Sequence, residues 1–313
     1  MKINHLAFVT IMITYALIVF GGYVATSNSG MGCGPEWPLC NGEVVPVLKG
    51  DTLIEFAHRV IGAILGLVAI LLFIKILRAE VDTTTRSVAW GMISLLIGQV
   101  LLGAVVVVLD LPVTVVSIHL LIAMVFLACV IWIWRKFSLE ETGYAIHSYH
   151  STVNEGKRKT IVFHLNVIIL LLFLTLAFGA YIKHENYGLA CGWLDCQSSF
   201  FPVTIPEILQ TIHRSLAVAS AIYILLLMFW AFSKKWGVPI QRRFMVMAMI
   251  VFVQMLIGLV TVGTLIDIPW AVLHLAVGTV LFAFVYEARV YIGLDKASMQ
   301  IQGFLNENKQ FDR

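Results

Sequence analysis

Charge is the first thing this sequence is short of. Asp, Glu, Lys and Arg supply only 12% of its 313 residues, about half their usual share in soluble globular domains, while 60% of the residues are hydrophobic. That balance excludes a pair of ordinary soluble domains and makes lipid the solvent for most of the surface. No Lys/Arg-rich tract with interleaved aromatics is present, so nucleic acid is not an expected partner. The apolar stretches also lack obvious midplane carboxylates and have few Gly-Pro breaks, which argues against a transporter with a central ion site. The net charge of +3 says less than the placement of the charges.

What is present is a series of long apolar runs. A spanning helix needs ~20 mostly apolar residues, at ~1.5 Å of rise each, to cross a ~30 Å hydrocarbon core. Eight runs qualify, near 6–25, 54–77, 88–109, 114–134, 161–182, 207–232, 244–266 and 270–291. The expected fold is an all-α integral membrane protein of eight transmembrane helices. The links at Asp110–Val113 and Asp267–Pro269 are very short and contain Pro112 and Pro269, as tight helical hairpins would. The first run is long for the apolar core of a signal peptide, and Gly22–Gly30 offers no persuasive small-residue cleavage site. It also has an internal copy at 161–182, so it is expected to be a retained helix. With both termini cytoplasmic, only Lys49, Arg59, Lys183 and Arg214 of the 21 basic residues fall on the outer side. The other 17 (21 − 4) lie inside, as the positive-inside rule demands in a cell membrane.

The chain repeats itself. Leu53-Ile54-Glu55-Phe56-Ala57-His58-Arg59 aligns with Ile208-Leu209-Gln210-Thr211-Ile212-His213-Arg214. Gln99-Val100-Leu101-Leu102-Gly103 aligns with Gln254-Met255-Leu256-Ile257-Gly258, and His119-Leu120 with His274-Leu275, all at an offset of 155 residues. The outer loops match at slightly larger offsets, Cys33 and Cys40 with Cys191 and Cys196. Each copy has an even number of helices, so two pseudo-symmetric four-helix bundles are expected, related by an axis along the membrane normal. The halves are residues 1–135 and 161–313, joined by a polar, basic cytoplasmic linker at 136–160 that contains Gly143 and Gly156.

The repeat carries four histidines, His58, His119, His213 and His274, near the outer ends of helices two, four, six and eight. A strongly polar group at that depth is costly unless it is paired. One such histidine is readily explained as a hydrogen bond between helices. Four at repeat-related positions point instead to a shared function. Two imidazoles from neighbouring helices can ligate haem iron from opposite faces within a bundle core, which pairs His58 with His119 and His213 with His274. Zinc suits the pattern less well, because no carboxylate–histidine cluster completes a tetrahedral set in the second half. Arg59 and Arg214, next to two of the ligands, either pair with haem propionates or snorkel to the headgroups. His5, His147, His150, His164 and His184 lie elsewhere and carry no expected role.

Cys33 with Cys40, and Cys191 with Cys196, read as two disulfides inside matching loops outside the cytoplasm. A redox-active thiol pair and a four-cysteine metal site are the alternatives. Cys129 is expected to be a small core residue. Glu55 stands three residues before His58, hence on the same helical face, where the second half has Gln210. A carboxylate at only one of two similar sites suggests proton chemistry in the first half alone. Its competing role is a favourable charge at a helix start, which Glu207 could fill in the second half.

Taken together, Glu55-Phe56-Ala57-His58-Arg59, His119, His213-Arg214, His274 and the loop cysteine pairs resemble bacterial haem A synthases over essentially the whole chain. The resemblance implies an enzyme that oxidises the C8 methyl of haem O to a formyl group through a hydroxymethyl intermediate, giving haem A for terminal oxidases. It implies a resident haem b on His213 and His274, substrate haem O between His58 and His119, and Glu55 beside the reacting methyl. In the family the pair matching Cys33 and Cys40 has been considered functional. The resemblance also implies an electron carrier and makes a haem O synthase a plausible partner. Two rival readings are a quinol-linked dihaem b-type electron-transfer protein and, more weakly, a transporter. The dihaem proteins usually place haems towards both membrane faces, whereas all four histidines here lie on one side.

Overall fold

The computed structural model describes residues 2–141, 155–192, 196 and 201–311. Its helices are α1 Ile3–Thr26, α2 Gly50–Arg78, α3 Thr83–Val108, α4 Val113–Glu141, α5 Glu155–His184, α6 Ile205–Ser233, α7 Val238–Gly263 and α8 Ile268–Phe311, with a short 3-10 turn at Tyr187–Leu189. All eight α-helices are long and apolar enough to cross a membrane. This is a multi-pass membrane protein of the expected all-α class. Of the expected linker, residues 142–154 lie outside the described residues, while its two flanks continue α4 and α5.

Local chemistry explains several helix ends. Asp82 caps α3 by accepting the Thr85 amide at 2.7 Å and pairs with Lys136 of α4 at 2.9 Å. Burial alone would raise the Asp82 carboxyl, but the Thr85 amide and Lys136 outweigh it and hold the group below the usual carboxylate range. Asp82→Ala should therefore cost about 1 kcal/mol in thermal unfolding at neutral pH. Because the folded value is the lowered one, that difference should shrink as pH falls through it. The run expected to start near 88 begins at Thr83, and the one expected near 244 begins at Val238. Both helices take up basic residues (Arg86, Arg242 and Arg243) that lie just before the apolar runs. Long basic side chains can lie along a helix and still deliver their charge to the surface.

The two hairpins between halves of a pair are copies. Asp110 and Leu111 both have φ of 57°, and Leu265 and Ile266 have 56° and 64°, a conformation uncommon for residues with a side chain. Each turn closes in the same way: the Leu111 amide donates to Val106 O and the Ile266 amide to Thr261 O, both at 2.8 Å. These six-to-one bonds satisfy carbonyls left open at the helix end, and they make the connections as tight as the sequence implied.

Helix packing carries the repeat through the fold. In the first half α1 lies against α2 and α4, and α3 against α2 and α4; in the second, α5 lies against α6 and α8, and α7 against α6 and α8. Between halves α4 meets α8, α1 meets α8, and α4 meets α5. Exchanging the halves maps this set onto itself, as a two-fold axis beside α4 and α8 requires. The larger buried apolar cluster straddles that axis, joining Met124 and Leu127 of α4 to Leu165 and Ile168 of α5 and Leu281 and Val285 of α8. Outward residues such as Leu67, Ile97, Phe229 and Phe252 are more than half exposed, as lipid-facing positions should be.

At the end opposite the disulfide loops, Glu287 of α8 pairs with Arg135 of α4 and, at 3.3 Å, with Arg243 of α7. Arg243 also stacks over Tyr291 at 3.7 Å. One buried carboxylate thus balances a guanidinium from each half. Glu287→Gln should lower unfolding stability in detergent by about 3 kcal/mol, because it strands two cations in a site with little water. A change below about 0.5 kcal/mol would show that the clamp is solvated.

Candidate haem-binding site

His58 comes from α2, His119 from α4, His213 from α6 and His274 from α8, all near the disulfide end of their helices and all half-buried. His58 and His119 lie within electrostatic range of each other, as do His213 and His274. The fold thus brings the two imidazoles of each half into one neighbourhood.

Each imidazole lies against a glycine of a neighbouring helix. A Cβ at Gly21 would stand 3.1 Å from His58 Nε2, and one at Gly103 would stand 3.5 Å from His119 Cε1. In the second half, Cβ atoms at Gly179 and Gly258 would come within 2.9 Å of Cε1 of His213 and His274. Only a residue without a side chain leaves room for the ring at that approach. Two glutamines add to the arrangement: Gln99 Nε2 donates to the His119 carbonyl at 2.9 Å, and Gln254 Nε2 to the His274 carbonyl at 3.0 Å. In the second half the His213 ring also meets a backbone carbonyl, with Nδ1 2.9 Å from Thr175 O. Gln99, Gly103, Gln254 and Gly258 were visible in the sequence as a repeated Gln-x-x-x-Gly, without a role. Gly21, Gly179 and Thr175 gave no such signal.

The loop residues are tied to the same helix turns. The Cys33–Cys40 and Cys191–Cys196 disulfides are both formed. Glu55 is buried; its Oε2 accepts the Cys33 amide at 2.7 Å, and its Oε1 takes Arg59 at 2.5 Å. Arg59 reaches on to the Leu39 carbonyl at 2.9 Å. Gln210 repeats the pattern in the second half. Its Oε1 accepts the Cys191 amide at 2.5 Å, its Nε2 donates to Gly188 O, and Arg214 donates to the Gly192 carbonyl at 2.5 Å and the Cys191 carbonyl at 3.1 Å. Position 55 and its copy thus share one structural duty, fastening the disulfide loop over the histidine, and only one of them brings a charge. Glu207 takes the helix-start role, with Oε2 accepting the Val203 and Thr204 amides at 3.0 Å. His164 is engaged elsewhere, its Nδ1 2.6 Å from Tyr223 Oη and its ring against Trp230.

These residues fit a haem held by two imidazoles. The ligand type is right, the pairs come from facing helices, and the Thr175 carbonyl sets the His213 tautomer so that Nε2 is free to coordinate. His119 Nδ1, by contrast, is buried with no hydrogen-bond partner among the described residues.

The comparisons with known proteins agree with this chemistry. The family described as cytochrome oxidase assembly protein matches residues 4–286, a stretch that runs from α1 into α8 and contains all four histidines. A protein of Bacillus cereus named haem A synthase is 29% identical over 289 residues, covering 90% of each chain. One of the same name from Shouchella clausii is 29% identical over 233 residues, 73% of this chain and 75% of its own. A third, from Bacillus licheniformis, is 26% identical over 284 residues, 87% of this chain and 90% of its own. With its two glycine-backed histidine pairs inside the matched region, the chain belongs to the cytochrome oxidase assembly protein family.

Proposed function

We propose that the chain is a membrane haem A synthase, oxidising the C8 methyl of haem O to the formyl group of haem A. The observation that carries this reading is the two repeat-related imidazole pairs in a chain whose curated relatives bear that name. Residues 1–135 form the substrate half and 161–313 the cofactor half, with 136–160 as the linker. His213 and His274 hold a resident haem b. When bound, that haem would supply one-electron redox chemistry, with an external carrier as the proposed electron acceptor. His58 and His119 flank haem O, which reaches the bundle from the lipid without crossing water. A haem O synthase would be its source.

Glu55 distinguishes the two halves. Its carboxylate sits one helical turn from His58, where it accepts protons from the reacting methyl or offsets positive charge developing there. Arg59 holds the carboxylate in place. Arg59 and Arg214, each next to a ligand on its helix, would pair with haem propionates. The distribution of Lys and Arg puts both termini on the cytoplasmic side of the cell membrane.

The test is production of haem A in a host that makes haem O but lacks its own haem A synthase. Extracted porphyrins should contain haem A only when this chain is expressed. Haem O alone, from cells in which the protein is folded and membrane-inserted, would refute the assignment.

A further inference from the structure

The two halves are copies in their ligands but not in what holds those ligands. In the second half the His213 ring is tied to the Thr175 carbonyl, and the Gln254 amide nitrogen lies against the His274 ring, 3.2 Å from Nδ1 and 3.4 Å from Nε2. An imidazole that coordinates through Nε2 carries its hydrogen on Nδ1. For His213 the Thr175 carbonyl is the acceptor of that hydrogen, while at His274 the Gln254 Nε2 donates to the backbone carbonyl and the amide packs against the ring. Both rings are also seated against bare backbone, with the 2.9 Å approaches at Gly179 and Gly258 leaving no room for a methyl group.

The first half has the same residue types without the same grip. Gln99 keeps its bond to the His119 carbonyl, but among the described residues it has no hydrogen bond to the ring; its Oε1 and His119 Nδ1 are both buried without a partner, as Gln254 Oε1 is. No hydrogen bond reaches the His58 ring among the described residues. The Leu17 carbonyl, at the position copied from Thr175, is not bonded to that ring, and the glycine approaches are wider, 3.1 Å at Gly21 and 3.5 Å at Gly103 against 2.9 Å in the second half. A ring fixed in tautomer and plane binds iron with less ordering cost, and losing such an outer partner typically weakens metal affinity by about 10- to 100-fold.

We propose that Gln254, Gly179, Gly258 and the Thr175 carbonyl are positioning groups that lock the second-half imidazoles and make that haem the long-lived one. The untied imidazoles of the first half let their haem leave as product. This inference rests on the assignment of the resident haem to His213 and His274.

The experiment is haem transfer from the purified, haem-loaded protein to excess apomyoglobin, followed by absorbance. Wild type should release haem in a fast and a slow phase. Gln254→Leu, which adds nothing to the glycine notch, and Gly258→Ala should each speed the slow phase about tenfold or more and shift the low-spin electron paramagnetic resonance signal of that haem. Gly103→Ala, the same change in the looser notch, should leave the slow phase where it is. Should Gly258→Ala fail to fold, Gln254→Leu decides the matter alone. A single wild-type phase, or a slow phase and resonance signal unmoved by Gln254→Leu, would overturn the inference. His213→Ala tests the underlying assignment separately, because a slow phase that survives it would show that the long-lived haem is bound elsewhere.

Discussion

Replacing Glu55 by glutamine should leave the protein folded and haem-loaded while cutting haem A formation by about 10²- to 10⁴-fold, the usual worth of a positioned acid or base. A buried carboxylate in an ion pair is ordinarily hard to neutralise cleanly, because its cation is left behind. Here the second half is a built-in control. Gln210 occupies the copied position, accepts the Cys191 amide as Glu55 accepts the Cys33 amide, and stands beside an arginine that pairs with no carboxylate among the described residues. Arg214 is satisfied by the Cys191 and Gly192 carbonyls instead, and Arg59 already has the Leu39 carbonyl within reach. The substitution should therefore keep the loop fastened and remove only the charge. Comparing extracted porphyrins and haem content between variant and wild type checks both halves of the claim. Normal haem A output would reduce Glu55 to a loop fastener, and loss of haem together with activity would make its role structural.

His274→Ala should abolish the low-spin haem signal of the second half and, with it, haem A formation. On the proposed assignment the imidazole ligates iron, and alanine offers no replacement, so the effect should be close to all-or-none. His213→Ala should behave alike. Because a bound group stabilises the folded chain by mass action, by about 4 kcal/mol at a thousand times its dissociation constant, both variants should also melt earlier than wild type. Added free imidazole should restore part of the spectrum by filling the space the side chain left. The same substitutions at His58 and His119 should leave the resident haem's signal in place and stop catalysis. A variant at His213 or His274 that kept a full low-spin signal would remove that residue from the ligand set.

Much of this was legible in the sequence, for identifiable reasons. Eight apolar runs can be counted because the bilayer fixes the length of each span, and a duplication shows because matched residues recur at a fixed offset. The paired histidines, the loop disulfides and the tight turns at Pro112 and Asp267 followed from those two facts. Helix starts were harder. Thr83 and Val238 begin their helices several residues before the apolar runs do, because Arg86, Arg242 and Arg243 are accommodated inside a helical turn. The duties of position 55 and its copy were only half visible. That Glu55 faces the histidine side follows from helical spacing, but its bond to the Cys33 amide depends on how a loop of more than twenty residues folds back over α2. The glycine notches were hidden for a similar reason. Gly21 and Gly179 matter through the helix across from them, and no spacing along their own helices signals that.

Porphyrins extracted from the purified wild-type protein test the central claim most directly. Two unlike halves, one retaining and one exchanging, should yield about one haem b per chain together with a smaller amount of haem O or haem A. Two tightly held haems of a single type per chain would contradict that and identify an electron-transfer protein instead. A preparation with no Soret absorbance would remove haem from the account altogether.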